Sequence, residues 1–186
     1  MIWPLSGRIP SSGPFFAHEL GKPSGREDGA FLGALLQDIA LPVLLTEWFE
    51  AYKKAYLEAQ KNRIRLSEAE SRILKWHHAQ AGAWLAKKWH LSDVIICAIG
   101  LHTSAPQELK TLPLHDEIFF IVAFSGAIPS VLEKEPSWEP WLAFVNEGSF
   151  SSKKTLEALG KAKELLLETA KNFGLKVKEP QELPNL

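Results

Sequence analysis

The residues of this 186-residue chain that could do chemistry are six histidines, one cysteine and a carboxylate, Asp38, set in the apolar run from Phe31 to Ala40. Imidazole and carboxylate together suit a divalent transition metal, but about three protein ligands are needed to hold one. Taken singly, each group has a structural role. Asp38 can accept hydrogen bonds at the N-terminus of a neighbouring helix, the usual requirement for a carboxylate among apolar residues. His78 can cap its own helix, and His102 can close another, where a cation complements the helix dipole. His77, His90 and His115 carry no motif. Cys97, inside Val94–Ile99, reads as a small buried hydrophobe. As the single cysteine it excludes an intrachain disulfide and a cysteine zinc cluster.

Two common catalytic arrangements are absent. Gly21-Lys22-Pro23-Ser24-Gly25 lacks both the spacing of a phosphate loop and a preceding strand. There is no Gly-x-Ser-x-Gly elbow, and Ser125-Gly126 reads as helix packing. Basic residues cluster at Lys53-Lys54, Lys61–Arg65 and Lys87-Lys88. They are interleaved with Glu58, Glu68 and Glu70, which makes solvated helix faces of them and leaves nucleic acid unlooked-for as a partner. The formal net charge of −1 excludes a global basic field. No signal peptide opens the chain, and the apolar stretch Ile118–Ile128 is too short to cross a bilayer. A cytoplasmic location and no membrane partner are expected.

The elements that must carry these groups read as helices. Hydrophobic residues make up 46% and charged residues 23%, the balance of a globular domain. Residues 1–26 contain Pro4, Pro10, Pro14 and Pro23 among several glycines, and the expectation is an irregular arm that docks through Trp3, Phe15 and Phe16. A helical domain is expected over 27–175. Phe31, Leu32, Leu35, Leu36 and Ile39 follow the 3.6-residue period. A second helix would bury Leu44, Leu45, Trp48, Phe49, Tyr52 and Tyr56. Ser67 with Glu70 matches a capping box. Residues 78–89 form a helix in which Gly82 permits close contact, and Ser92 caps the next, ending near His102. Glu117–Ile128, apolar nearly all round, reads as a buried helix. A last helix from Ser152 turns Leu156, Leu159, Leu166, Ala170 and Phe173 inward and stops at Gly174. Residues 176–186 form a loose tail. Seven tryptophans, three of them at 76, 84 and 89, point to packed core. The expected fold is all-α, a single helical bundle or orthogonal helix array.

Two segments, in order, resemble the HDOD family, a signalling relative of the HD phosphohydrolases. The first is Gly29–Ala40, ending Gln37-Asp38-Ile39-Ala40, where the related hydrolases carry a His-Asp pair. The second is Glu70–Leu101, with His77-His78-Ala79-Gln80-Ala81-Gly82, then Trp89-His90-Leu91 and a closing His102. The likeness covers residues 27 to about 130 and resembles the C-terminal half of that fold, since the family carries a further helical portion upstream.

The resemblance assigns Asp38, His78 and His102, with Gln37, to one remnant polar pocket. It puts Gln37 where a ligating histidine belongs and Phe124 where the hydrolases supply their last aspartate. His18 is a poor stand-in for the upstream histidine. The resemblance thus implies no catalytic residue, no bound metal and no cofactor. The implied function is a non-catalytic signal-transduction or regulatory module working through protein partners in trans, with a homo-oligomer as one form of such contact. The rival from another class is a metal-dependent phosphohydrolase acting on nucleotides or cyclic dinucleotides.

Overall fold

The computed structural model describes residues 12–113, 115–129 and 137–174. The expected contacts of Trp3 and the expected loose tail at 176–186 lie outside them. The described residues contain eleven α-helices and no strand, as the sequence predicts. In chain order they are α1 (Gly13–Gly21), α2 (Glu27–Leu36), α3 (Leu41–Glu47), α4 (Phe49–Asn62), α5 (Leu66–Leu74), α6 (His78–Lys88), α7 (Asp93–Leu101), α8 (Pro106–Thr111), α9 (Ile118–Gly126), α10 (Glu139–Glu147) and α11 (Ser152–Asn172).

The largest core cluster is centred on α9, where seven residues from Ile118 to Ser125 are buried. An all-apolar helix is stable in water only when neighbours cover every face. Here α1, α2, α7, α8 and α10 do so. A second cluster joins Leu41, Leu44 and Leu45 to Tyr52 on α4. A third joins Ala86 to Ile95 and Ile99, between α6 and α7. Gly82 has the role expected of it: a Cβ there would lie 3.0 Å from Ile99 Cγ2, a tight contact that its absence relieves where α6 packs on α7.

Several expectations need correction. Residues 1–26 do not form an irregular arm throughout, because α1 occupies Gly13–Gly21 with Phe16 and Ala17 fully buried. Pro14 stands in its first turn, where no intrahelical partner for an N–H is required, so the proline starts the helix instead of preventing it. The helix expected to carry Leu44 through Tyr56 is two, broken at Trp48 (φ −117°, ψ 28°), which is exposed with its ring edge-on to Trp76. The Ser67–Glu70 capping box does not form, since α5 begins at Leu66 and Glu70 is turned into the core.

Trp84 is 63% exposed and Trp89 is exposed beside it, against the core role expected of both. The buried side of α6 is made of His78, Ala79, Gly82 and Ala86, and a close helix contact of small residues has no room for an indole. Trp84 instead turns outward under Lys88 Nζ, 5.3 Å from its ring. Cys97 is exposed because Ile95, Ala98 and Ile99 take the inner face of α7. Phe173 lies past the end of α11 and is also exposed.

Glu27–Glu47 is apolar and long enough, by composition, to cross a membrane, and 44% of the 18-residue apolar window within it is buried inside the protein. The turn at 37–40 divides it into α2 and α3, and that turn carries Gln37 and Asp38.

Candidate functional site

Four helix ends converge on one cavity of about 90 Å³. The turn after α2 brings Gln37 and Asp38, the first residue of α6 is His78, the C-cap of α7 is His102, and α9 ends at Gly126. Arg65, at the N-terminus of α5, completes the wall and donates to the backbone carbonyls of Thr103 (3.0 Å) and Gly126 (3.3 Å). A Cβ on Gly126 would lie 2.7 Å from the His102 carbonyl oxygen, so α9 can reach the cavity only with glycine at this position.

Asp38, His78 and His102 come together as the resemblance implies. The Nε2 atoms of the two histidines are 3.2 Å apart. Asp38 Oδ1 lies 3.4 Å from His78 Nε2 and 3.5 Å from His102 Nε2. Both rings are buried, whereas the Asp38 side chain is 50% exposed at the mouth.

The group that sequence reasoning missed is Glu70, fully buried behind His78. One of its oxygens accepts from the Tyr52 hydroxyl. The other accepts from the His78 backbone N–H (2.9 Å) and lies 2.6 Å from His78 Nδ1. The Tyr52 hydroxyl, the His78 backbone N–H and the His78 ring thus all meet at one buried carboxyl group. The available signal is the place of Glu70 on the apolar side of α5, one turn beyond Leu66; its spacing from Ser67 points to a helix cap instead. His77, also without a motif, is the N-cap of α6, and its backbone N–H donates to Gln80 Oε1 at 3.1 Å.

These contacts fix where the protons are. The Ile99 carbonyl, 2.7 Å from His102 Nδ1, can only accept, so that nitrogen carries a hydrogen. Glu70 makes the same demand of His78 Nδ1. A neutral imidazole then has its lone pair on Nε2, and both lone pairs belong to the same 3.2 Å gap. Desolvation disfavours a charged His78, yet the Glu70 hydrogen bond and charge, together with Asp38, hold its pKa above the ordinary value of 6.5. Burial would raise Asp38, but its bond and charge interaction with His102, and the charge of His78, bring it below 3.8. Burial first and the Glu70 charge second push Tyr52 upward. Burial and the neighbouring His78 lower His77. The arrangement therefore favours positive charge on His78.

Among the described residues, the donor atoms of Asp38, His78 and His102 lie within 4.8 Å of one another, close enough to share an ion. The other two residues singled out from the family pattern do not join them. Gln37 is buried and its Oε1 lies 3.4 Å from Ser125 Oγ. Phe124 points into the core, 5.1 Å from the Phe16 ring and 5.0 Å from Phe144. The residue of α9 that lines the cavity is Gly126. The register expected from the sequence is thus corrected by two: at about 100° per residue, Gly126 lies on the side of α9 away from Phe124.

Residues 14–105 match the HDOD domain. The match begins in α1, ahead of the boundary expected from the proline pattern. No curated protein matches the chain significantly. Among solved structures, an HDOD domain protein of unknown function from Geobacter sulfurreducens shares the fold with a TM-score of 0.58 and 19% identity. The alignment covers 89% of this chain and 64% of that one, so the chain spans less than two thirds of its relative's length. Residues 14–105 therefore carry an HDOD-domain match, within an all-helical fold shared with a solved HDOD protein.

Proposed function

We propose that this chain is a non-catalytic signal-transduction or regulatory module of the cytoplasm that acts through protein–protein contacts. The observation that carries the reading is the donor set of the cavity. Gln37 is occupied with Ser125, and Phe124 is in the core, so among the described residues no second carboxylate and no third histidine join Asp38, His78 and His102. A two-metal phosphohydrolase needs donors for both ions to steady the attacking and leaving oxygens. Exposed apolar side chains supply the other support: Leu32, Leu35, Val43, Trp48, Trp84 and Trp89 all face outward. Tryptophan is prominent among residues that anchor protein interfaces.

The test is turnover. Purified protein, supplied in turn with Mn²⁺, Mg²⁺, Zn²⁺ and Fe²⁺, is incubated with nucleotides, cyclic dinucleotides and a chromogenic phosphodiester. The expected result is hydrolysis no faster than with Asp38→Ala. Metal-dependent turnover lost in that variant would establish the rival reading, an HD-type phosphohydrolase, which the gathered His-His-Asp donors favour.

A further inference from the structure

We propose that the C-terminal end of α6, where Trp84, Lys87, Lys88 and Trp89 stand together on the surface, docks an acidic segment of another protein, one that carries carboxylates beside apolar side chains. The proposal rests on the reading of this chain as a module of protein contacts and names the chemistry of one partner.

The charge is set by the sequence. Between Glu70 and Glu108 the chain has a single acid, Asp93, against Arg72, Lys75, Lys87 and Lys88, although the whole chain carries 22 acidic and 21 basic residues. A positive surplus is therefore local to the stretch that builds α6 and α7. Lys22, Arg26, Arg72, Lys110 and Lys161 each reach a carboxylate. Lys87 and Lys88 form no ion pair among the described residues; the contact of Lys88 is the Trp84 ring, 5.3 Å from its centre. Asp93 lies in the first turn of α7, where its charge complements the helix dipole.

The apolar part follows from the packing of α6. His78, Ala79, Gly82 and Ala86 take its inner side, so Trp84 and Trp89 remain 63% and 54% exposed. Residues three and four apart share a helix face, which sets Lys87 and Lys88 beside Trp84. The end of the helix is held firmly. His90, at φ 58°, donates its N–H to the Lys87 carbonyl, and Leu91 donates to the Ala86 carbonyl, both at 3.1 Å. Leu91 also packs on the third core cluster. A left-handed histidine is unfavourable on its own, so these bonds and this contact fix the turn. The indoles thus reach the surface already placed, and binding loses little further freedom.

Tryptophan anchors protein interfaces, and a pair of lysines without acids at such a site is complemented by carboxylates on the partner. Nucleic acid fits less well, because two lysines neutralise about two phosphates and affinity grows with that number. A bilayer fits less well too, since the ammonium over the Trp84 ring would have to be drawn in with it.

The experiment is selection of a random peptide library displayed on phage against the full chain, followed by titration of an enriched peptide by fluorescence anisotropy. Enriched peptides should carry Asp or Glu beside aliphatic or aromatic residues, and their affinity should fall as salt rises. Trp84→Ala should weaken binding about 30-fold, as for loss of one anchoring side chain. The double substitution Lys87→Glu/Lys88→Glu should weaken it about tenfold or more. Lys53→Glu/Lys54→Glu, at a basic pair on α4, should leave it unchanged. All five side chains are exposed, so the variants fold, which circular dichroism checks. Enrichment of neutral or basic peptides, equal loss in the α4 variant, or a selection yielding no peptide that depends on Trp84 would each overturn the proposal. Trp84-dependent binding of duplex DNA or phosphatidylglycerol vesicles in place of acidic peptides would overturn it by reassigning the surface. Metal-dependent hydrolysis would refute the non-catalytic reading and leave Trp84-dependent peptide binding standing, so the two failures are distinct.

Discussion

Replacement of Phe124 tests the orientation of α9 and, through it, the reason the cavity lacks a second acid. The ring is fully buried and has four aromatic neighbours, with centroids at 5.0 Å (Phe144), 5.1 Å (Phe16), 5.4 Å (Trp141) and 5.9 Å (Phe150). Phe→Ala at a buried site costs about 3–5 kcal/mol, and the cost rises where the surroundings cannot collapse into the void. Rings contributed by α1, α10 and the segment before α11 cannot all move inward together, so Phe124→Ala should lie near the upper end, about 4–5 kcal/mol. For a domain of about 5–15 kcal/mol total stability that is a large share. With a urea dependence of about 2 kcal/mol per molar, the unfolding midpoint should fall by roughly 2 M. Tryptophan fluorescence and far-ultraviolet circular dichroism would follow the transition. Phe124→Asp, which restores the residue type of the hydrolases, should not fold at all, because it buries an ionised group among rings. A loss below about 1 kcal/mol in the alanine variant would refute the packing argument. So would a soluble, helical aspartate variant with increased metal affinity, since the side chain would then have to face the cavity.

Three further outcomes are expected. Gly126→Ala should cost about 1–3 kcal/mol by overpacking, since the new methyl meets the His102 carbonyl at 2.7 Å; an unchanged denaturation midpoint would show that α9 can shift freely. Trp84→Ala should change stability by no more than about 0.5 kcal/mol, as for most surface substitutions, and a loss above about 2 kcal/mol by the same titration would return the indole to the core. The largely covered Glu19 carboxylate has its pKa lowered: burial opposes ionisation, but Lys22 at 2.5 Å, His18 and Lys161 outweigh it. Its contribution to stability is therefore complete above its ordinary value of 4.5 and is lost as pH falls through the lower, folded-state value. Urea midpoints measured between pH 5 and pH 3 (about one unit either side of an ordinary carboxylate) should fall more steeply in the wild type than in Glu19→Gln, and parallel curves would deny Glu19 the role.

The helices are legible wherever the hydrophobic period is strong. Leu159, Leu166 and Ala170 face inward as expected, and the apolar run at Ile118–Gly126 is a buried helix because no second run exists to pair with it as a strand. Legibility fails where one residue type serves two purposes. Pro14 would break a helix in its interior but begins one in the first turn, and composition does not distinguish these. Trp84 is apolar enough for a core, yet α6 uses its small residues for close approach, and the indole is left outside. At the site, Asp38, His78 and His102 are found through the family pattern, as side chains from three helix ends cannot be related by local spacing. Glu70 escapes because a buried carboxylate is recognised by its partners, and Tyr52 is eighteen positions away.

The division of the apolar interior has a consequence for how the molecule opens. The cluster of Leu41, Leu44, Leu45 and Tyr52 is separate from the larger one around α9. Among the polar contacts that span the boundary are the Glu70 bond to the His78 backbone and the two Arg65 bonds to Thr103 and Gly126. Amide exchange need not then proceed in one global event, since small cooperative units can open below the energy of full unfolding. The backbone of α3 to α5 should exchange through such a partial opening, while α9 waits for the whole chain.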